Sequence, residues 1–130
     1  MPPPSARTLA AIFAGGALGA IARAEVAEAL PVHPGTFPWA TFLVNVAGAA
    51  LLGWFATALQ DRRPPSLALR PFLTTGLCGG LTTFSTMQLE LLKLLDRGDV
   101  GLALGYAAAS VVAGLAAVQL TTTAVRRAAA

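Results

Sequence analysis

The residue types best able to bind an ion gather in one segment, residues 74–87. It reads T-T-G-L-C-G-G-L-T-T-F-S-T-M, so that glycines are followed by a run of hydroxyl side chains. Such a run is poor material for a continuous lipid-facing helix. We predict a helix break at residues 79–82, which presents carbonyl groups suited to a small cation and N–H groups suited to an anion. The alternative is that the glycines serve only close packing and the hydroxyls bond to their own helix.

Further polar side chains lie in two other apolar stretches. Asn45 stands in V-N-V-A-G, and Thr41 precedes it by one helical turn on the same face. Burying an uncompensated amide costs roughly a few kcal/mol, so Asn45 must face either a neighbouring helix or a polar path. Tyr106 and Ser110 recur at four-residue spacing with Gly114, and such a stripe is more often packing than pathway.

Two larger side chains accompany the hydroxyls. Phe84 and Met87 lie one helical turn apart on the same predicted face. The positive edge of a phenyl ring can act as a weak donor to an anion that has shed water. The usual alternative for an aromatic residue and a methionine at this spacing is core packing.

Ionisable residues within the apolar stretches are few. Arg23 is expected to close the first helix and to extend its charge to the membrane interface. Glu90 could lie at a vestibule, and its alternative is a solvated helix end near Lys93. The sequence has no Ser/His/Asp, Cys/His or paired-carboxylate arrangement and no phosphate-cradling motif, so we expect no enzyme activity.

These residues must be positioned by membrane-spanning helices. Of the 130 residues, 55% are apolar and 12% are charged, about half the charged share of a soluble domain. Four apolar stretches, at 8–30, 37–59, 67–95 and 100–125, predict four transmembrane helices in a single domain over 1–130. The connections are short, including residues 60–66 with Asp61, Arg62, Arg63, Pro64 and Pro65, so neighbouring helices should be antiparallel.

The first stretch also resembles a cleavable secretory signal. Cleavage would discard the spacings Gly15-xxx-Gly19 and Gly16-xxx-Ala20, which suit close helix packing, so we expect the helix to be retained. Similar pairs recur at Gly76-xxx-Gly80, Gly101-xxx-Gly105 and Ser110-xxx-Gly114. Four short helices enclose little volume within one copy, so we expect an oligomer, with a dimer as the simplest closed form.

Three motifs closely resemble the bacterial fluoride channels of the Fluc (CrcB) family. They are G-G-A-L-G-A-I-A-R at residues 15–23, T-F-L-V-N-V-A-G at 41–48 and G-L-C-G-G-L-T-T-F-S-T at 76–86. The resemblance implies an all-α protein of the bacterial inner (plasma) membrane whose third helix is broken. It also implies an antiparallel, dual-topology homodimer that exports cytoplasmic fluoride passively and confers fluoride resistance.

The same resemblance implies roles for individual residues. A structural sodium ion would be held by the backbone carbonyls of Gly79 and Thr82. The vestibule would contain Glu90 and Arg23. The fluoride pathway would contain Thr41, Asn45, Phe84, Ser85, Thr86, Met87, Tyr106 and Ser110. Met87 stands where the family commonly has a second phenylalanine, so the aromatic part of that pathway is incomplete.

Two other classes of protein remain as alternatives. A small-multidrug-resistance-type proton-coupled antiporter is also small, four-helical and dimeric, but it needs a carboxylate deep in a span, for which Glu90 is the one plausible residue. The other class is a non-conducting membrane subunit that packs through its glycine faces.

Overall fold

Every regular element is helical in the computed structural model, which describes residues 2–60 and 67–130. In chain order the elements are α1 (Ala6–Ala29), α2 (Trp39–Ala58), α3 (Leu69–Pro71), a π-helical segment (Phe72–Cys78), α4 (Gly79–Leu81), α5 (Phe84–Asp96) and α6 (Val100–Ala129). Helices α1, α2 and α6 are long and apolar enough to cross a membrane. The predicted connection with Asp61, Arg62, Arg63, Pro64 and Pro65 lies outside the described residues.

The third apolar stretch is divided into two half-helices. Elements α3, the π-helical segment and α4 follow one another directly, and we call them the first half-helix; α5 is the second half-helix. Between them, Thr82 and Thr83 have extended backbone, with φ/ψ of −85°/155° and −148°/116°. The helix therefore breaks as predicted, but not at its glycines: Gly79–Leu81 is still helical, and the break comprises Thr82 and Thr83.

The π-helical segment lies directly after Pro71. Proline has no N–H to donate and disturbs the hydrogen-bond ladder of a helix. π-Helical turns are rare, and where they occur they frequently lie at functional sites. Gly76 of this segment lies directly against the backbone of α1.

Helix α1 and the first half-helix pack backbone to backbone along a line of glycines, which we call the glycine seam. A Cβ on Gly80 would lie 3.0 Å from both Cα and the carbonyl carbon of Gly16, and one on Gly76 would lie 3.0 Å from the Cα of Gly15. A Cβ on Gly19 would collide with the backbone of the first half-helix at Leu77. Such approach is possible only because one residue of each contact has no side chain, which confirms the predicted packing role of these glycines.

Helices α2 and α6 run parallel, because their contacts advance together along both helices. The rings of Phe37 and Tyr106 lie 5.2 Å apart at one end. At the other end Gly53 faces Thr121, and the hydroxyls of Thr57 and Thr122 are 3.5 Å apart. The core cluster of Leu94, Ala103 and the fully buried Tyr106 joins α5 to α6 at the Phe37 end, with Phe37, Phe42, Met87, Leu91 and Leu102 packed around it.

The turn between α5 and α6 is fixed by local geometry. Gly98 has φ of +82°, a conformation that favours glycine after a helix end. The N–H of Gly98 bonds to the Leu95 carbonyl at 3.0 Å, and the N–H of Asp99 bonds to the Leu94 carbonyl at 2.9 Å. This arrangement ends α5 sharply and returns the chain into α6.

Candidate functional site

The two threonines of the break are held by side chains of α2. The Asn45 amide donates from Nδ2 to the Thr83 carbonyl at 3.1 Å and accepts from the Thr83 N–H at 2.8 Å. One side chain thus replaces both hydrogen bonds that Thr83 would make inside a helix. Asn45 is thus bonded to the extended backbone between the two half-helices, and its Nδ2 group has no second acceptor among residues 2–60 and 67–130.

Gly48 lies on α2 one turn after Asn45 and also contacts the break. We call Asn45 and Gly48 together the socket for the break. A Cβ at this position would collide with Cγ2 of Thr82. The Thr82 side chain fills that space, and its Oγ1 donates to the Cys78 carbonyl at 3.0 Å. The spacing Asn45-xx-Gly48 therefore places a paired amide and an open space opposite two consecutive threonines.

The second half-helix is capped from within the break. Oγ1 of Thr83 accepts the N–H of Thr86 at 3.2 Å, as expected for a threonine at a helix start. It also donates to Oγ1 of Thr86 at 3.1 Å. Hydroxyl groups and the first N–H groups of α5 are thereby concentrated at one point, where the helix dipole favours negative charge.

The carbonyl groups around the break fall into two sets. Those of Cys78, Gly80 and Thr83 accept hydrogen bonds from Thr82, Arg23 and Asn45. Those of Gly79 and Thr82, which the family resemblance assigns to sodium, accept none from the described residues. Both residues line a groove of about 400 Å³ together with Gly48, Arg70, Thr74 and Thr75. Carbonyl oxygens that accept no hydrogen bond from the described residues, in residues that line a groove, fit the needs of a small hard cation.

The predicted position of Arg23, at the end of the first helix and at the membrane interface, was wrong. Arg23 does not close the first helix, because α1 continues to Ala29. Its side chain is half-buried, and Nε donates to the Gly80 carbonyl at 3.1 Å, so the structure directs it to the break and not to the membrane interface. The sequence gives no sign of this contact, which joins residues 57 positions apart.

Glu90 is also not a solvated helix end. It is buried, with 9% of its surface exposed, and accepts a hydrogen bond from the fully buried Tyr106 hydroxyl at 3.2 Å. Ser110 follows Tyr106 by one turn, and its hydroxyl oxygen is buried with no partner among residues 2–60 and 67–130. Tyr106 and Ser110, two predicted site residues of α6, thus direct their hydroxyl groups into the interior of the chain, and Thr41 of α2 is also buried.

The remaining predicted site residues lie in different surroundings. Phe84 is 70% exposed at the start of α5, and Ser85 is exposed beside it. Met87 instead packs against the core cluster around Tyr106, which is the packing alternative given for it. Within a single chain, Phe84 and Met87 therefore lie in different environments, one exposed and the other packed against the core.

A cavity of about 560 Å³, which we call the vestibule, opens beside α5. It is lined by Thr86, Glu90 and Lys93 of α5, by Arg97 directly after α5, and by His33 of the α1–α2 connection. Arg97 is paired with Asp99 at 3.4 Å. Lys93 and His33 were not predicted as site residues, because their positions in the sequence do not show that the α1–α2 connection and the end of α5 lie together.

Comparison with known proteins places these motifs in one family. The model of the family described as "CrcB-like protein, Camphor Resistance (CrcB)" matches residues 10–122. The chain is 54% identical over 127 residues to "Fluoride-specific ion channel FluC 1" of Mycobacterium tuberculosis (strain CDC 1551 / Oshkosh), covering 98% of this chain and 96% of the relative.

More distant relatives carry similar names. "Fluoride-specific ion channel FluC 2" of Nocardia farcinica is 45% identical over 126 residues, which is 97% of this chain and 90% of that protein. "Fluoride-specific ion channel FluC" of Nitrobacter winogradskyi is 43% identical over 108 residues, which is 82% of this chain and 86% of that protein. With matches that extend over all the helices that carry the break and its socket, the chain belongs to the Fluc/CrcB family, whose members are multi-pass membrane proteins.

Proposed function

We propose that this protein is a fluoride-selective channel that lets cytoplasmic fluoride leave passively down its electrochemical gradient and so confers fluoride resistance. The observation that carries this proposal is the helix break whose backbone is held by Asn45. Irregular backbone persists in a membrane only where it is buried in protein or lines a polar cavity. Family membership and the names of the relatives support the same conclusion.

The proposed assembly is an antiparallel, dual-topology homodimer of four-span subunits in the bacterial inner membrane. The two half-helices together would form the third of the four spans in chain order. One chain leaves Phe84 exposed and leaves open space beside Gly101, Gly105 and Gly114 of α6, where an added Cβ would meet nothing within 4 Å. A second copy of inverted orientation would bring both copies' breaks to the same depth.

The proposed route replaces the water around fluoride with weak donors. Fluoride is small and strongly hydrated, so a selective route must offer donors without holding the ion too tightly to release it. The free amide hydrogen of Asn45 and the ring edge of Phe84 offer such donors at the break. The other residues assigned to the route are Thr41, Ser85, Thr86, Met87, Tyr106 and Ser110.

The same proposal includes a sodium ion as a structural component of the dimer. The free carbonyls of Gly79 and Thr82 from each copy would hold it. When bound, the cation neutralises the negative C-terminal ends of the first half-helices. The residues of this chain fit that task because Gly79 and Thr82 line a groove and their carbonyls accept no hydrogen bond from the described residues.

The direct test uses purified protein in liposomes loaded with fluoride. We expect efflux, measured with a fluoride electrode, once a potassium ionophore removes the opposing voltage, and we expect it without any partner protein or proton gradient. Absence of efflux from correctly folded dimers would overturn the proposal and favour a non-conducting subunit.

Replacing Glu90 by glutamine separates the channel from the proton-coupled antiporter. Glutamine can still accept the Tyr106 hydrogen bond, and removal of a negative charge beside an anion route does not obstruct it. We expect fluoride efflux to remain within about threefold of wild type. An antiporter depends on that carboxylate, so proton-coupled cation transport that disappears in Glu90→Gln would contradict the channel proposal.

Reversing the charge of Lys93 at the vestibule tests the anion route from its entrance. We expect Lys93→Glu to lower fluoride efflux roughly three- to tenfold at low ionic strength, because the mouth then repels the anion. The deficit should shrink in high salt, which screens exposed charges. Lys93→Arg, which keeps the charge, serves as the control. A deficit independent of salt would point to misfolding and not to electrostatics.

A further inference from the structure

Arg23 is a charged residue inside a candidate span, and the proposed route does not explain its contact. Ionisable groups within the membrane are costly and are therefore matched to a specific partner. Arg23 follows Gly19 by four residues, so it extends the glycine seam by one turn. Because α1 and the first half-helix approach so closely along the seam, the guanidinium reaches the end of that half-helix and bonds to Gly80.

The Gly80 carbonyl needs an outside donor because of where the helix ends. The first half-helix stops at Leu81, and Phe84, four residues after Gly80, already belongs to α5. The last carbonyls of a helix have no donor within it, and a cation at this end also interacts favourably with the helix dipole. Arg23 is thus a cap for the first half-helix supplied by another helix.

Some carbonyl groups near the break accept hydrogen bonds and others do not, and the Arg23 cap decides to which set Gly80 belongs. Cys78, Gly80 and Thr83 are each paired, by Thr82, Arg23 and Asn45. Among the described residues the carbonyls of Gly79, Leu81 and Thr82 accept no hydrogen bond. Of these three residues, only Gly79 and Thr82 line the open groove, while Leu81 is buried.

We propose that Arg23 is a positioning residue that keeps the Gly80 carbonyl out of the cation site, so that Gly79 and Thr82 alone form the ligand set of each copy. This inference rests on the sodium component of the proposed function. Cation preference depends on the number and arrangement of the carbonyl oxygens around an ion. A Gly80 carbonyl released from Arg23 would enlarge and loosen the set, and the preference for sodium over potassium would fall.

Thermal unfolding of the purified dimer tests this without measuring transport. The unfolding of wild type, followed by the fluorescence of Trp39 and Trp54, is recorded in a series of sodium or potassium concentrations, since a cation that binds only the folded dimer raises its stability. We expect sodium to act at concentrations at least about tenfold lower than potassium. In Arg23→Gln the two cations should act at nearly equal concentrations, and Arg23→Lys, which retains one charged donor, should restore part of the difference.

The control is Arg7→Gln, which removes an exposed arginine from the same helix and should leave the sodium preference unchanged. If Arg23→Gln lowers stability equally in both cations and keeps the wild-type preference, Arg23 is only structural and the inference is wrong. A wild type without any sodium preference would also overturn it. Fluoride efflux from the same preparation then shows separately whether the channel function stands.

Discussion

Asn45→Asp is expected to reduce fluoride efflux by at least about 100-fold, equivalent to roughly 2.7 kcal/mol. The substitution keeps the size of the side chain but removes the Nδ2 donor to the Thr83 carbonyl. It leaves a half-buried carbonyl without its partner, which costs about 1–3 kcal/mol. It also places a carboxylate where the proposed route needs a donor to an anion. The measurement is the initial rate of efflux from liposomes with a fluoride electrode.

The matched control for this variant is Gln60→Glu. It makes the same amide-to-carboxylate change at an exposed residue just beyond the end of α2. We expect it to conduct within about twofold of wild type, since an exposed charge outside the route is screened by salt. Size-exclusion chromatography verifies that both variants are dimers. Efflux through Asn45→Asp that matches the control would show that Asn45 is not part of the route.

Gly80→Ala is expected to separate α1 from the first half-helix and to destabilise the fold by about 1–3 kcal/mol, as overpacking of a close contact does. The added Cβ would lie 3.0 Å from two backbone atoms of Gly16. Backbone atoms cannot relieve such a contact by a change of side-chain rotamer. Moving this residue also displaces the carbonyl that Arg23 binds. We therefore expect both a lower unfolding temperature and a loss of most fluoride efflux.

A second glycine of the same seam provides the control. A Cβ on Gly16 would lie 3.8 Å from the Gly76 carbonyl oxygen, which is an ordinary contact distance. Alanine also favours the helical conformation by up to about 1 kcal/mol over glycine. Gly16→Ala should therefore be neutral or slightly stabilising. Equal destabilisation by the two variants would mean that the seam is not packed as described.

The sequence was sufficient to predict those features that depend on residue type and local spacing. The glycine pairs predicted a close helix contact, and the run of glycines and threonines predicted a broken third helix. The position of the break was not predictable in the same way. Gly79 and Gly80 are weak helix formers, but Gly80 packs on the backbone of Gly16 and stays helical, so the chain becomes extended only at Thr82.

Contacts between distant segments account for what the sequence did not reveal. Arg23 was expected at the interface, yet it reaches a carbonyl exposed by the end of another helix. Glu90 has the spacing of a helix-end residue, yet Tyr106 of α6 donates to it in the interior. From the sequence, Asn45 could equally face a neighbouring helix or a polar path. The structure shows that its partner is the backbone of Thr83. Each case depends on the packing of helices that no local pattern encodes.

Efflux of fluoride and of chloride from the same wild-type proteoliposomes tests the central claim most directly. Vesicles loaded with both anions are opened to ion flow by a potassium ionophore, and two ion-specific electrodes follow the release. A narrow route lined by weak donors predicts rapid loss of fluoride while chloride stays inside. Release of both halides at similar rates, or of neither, would contradict the account.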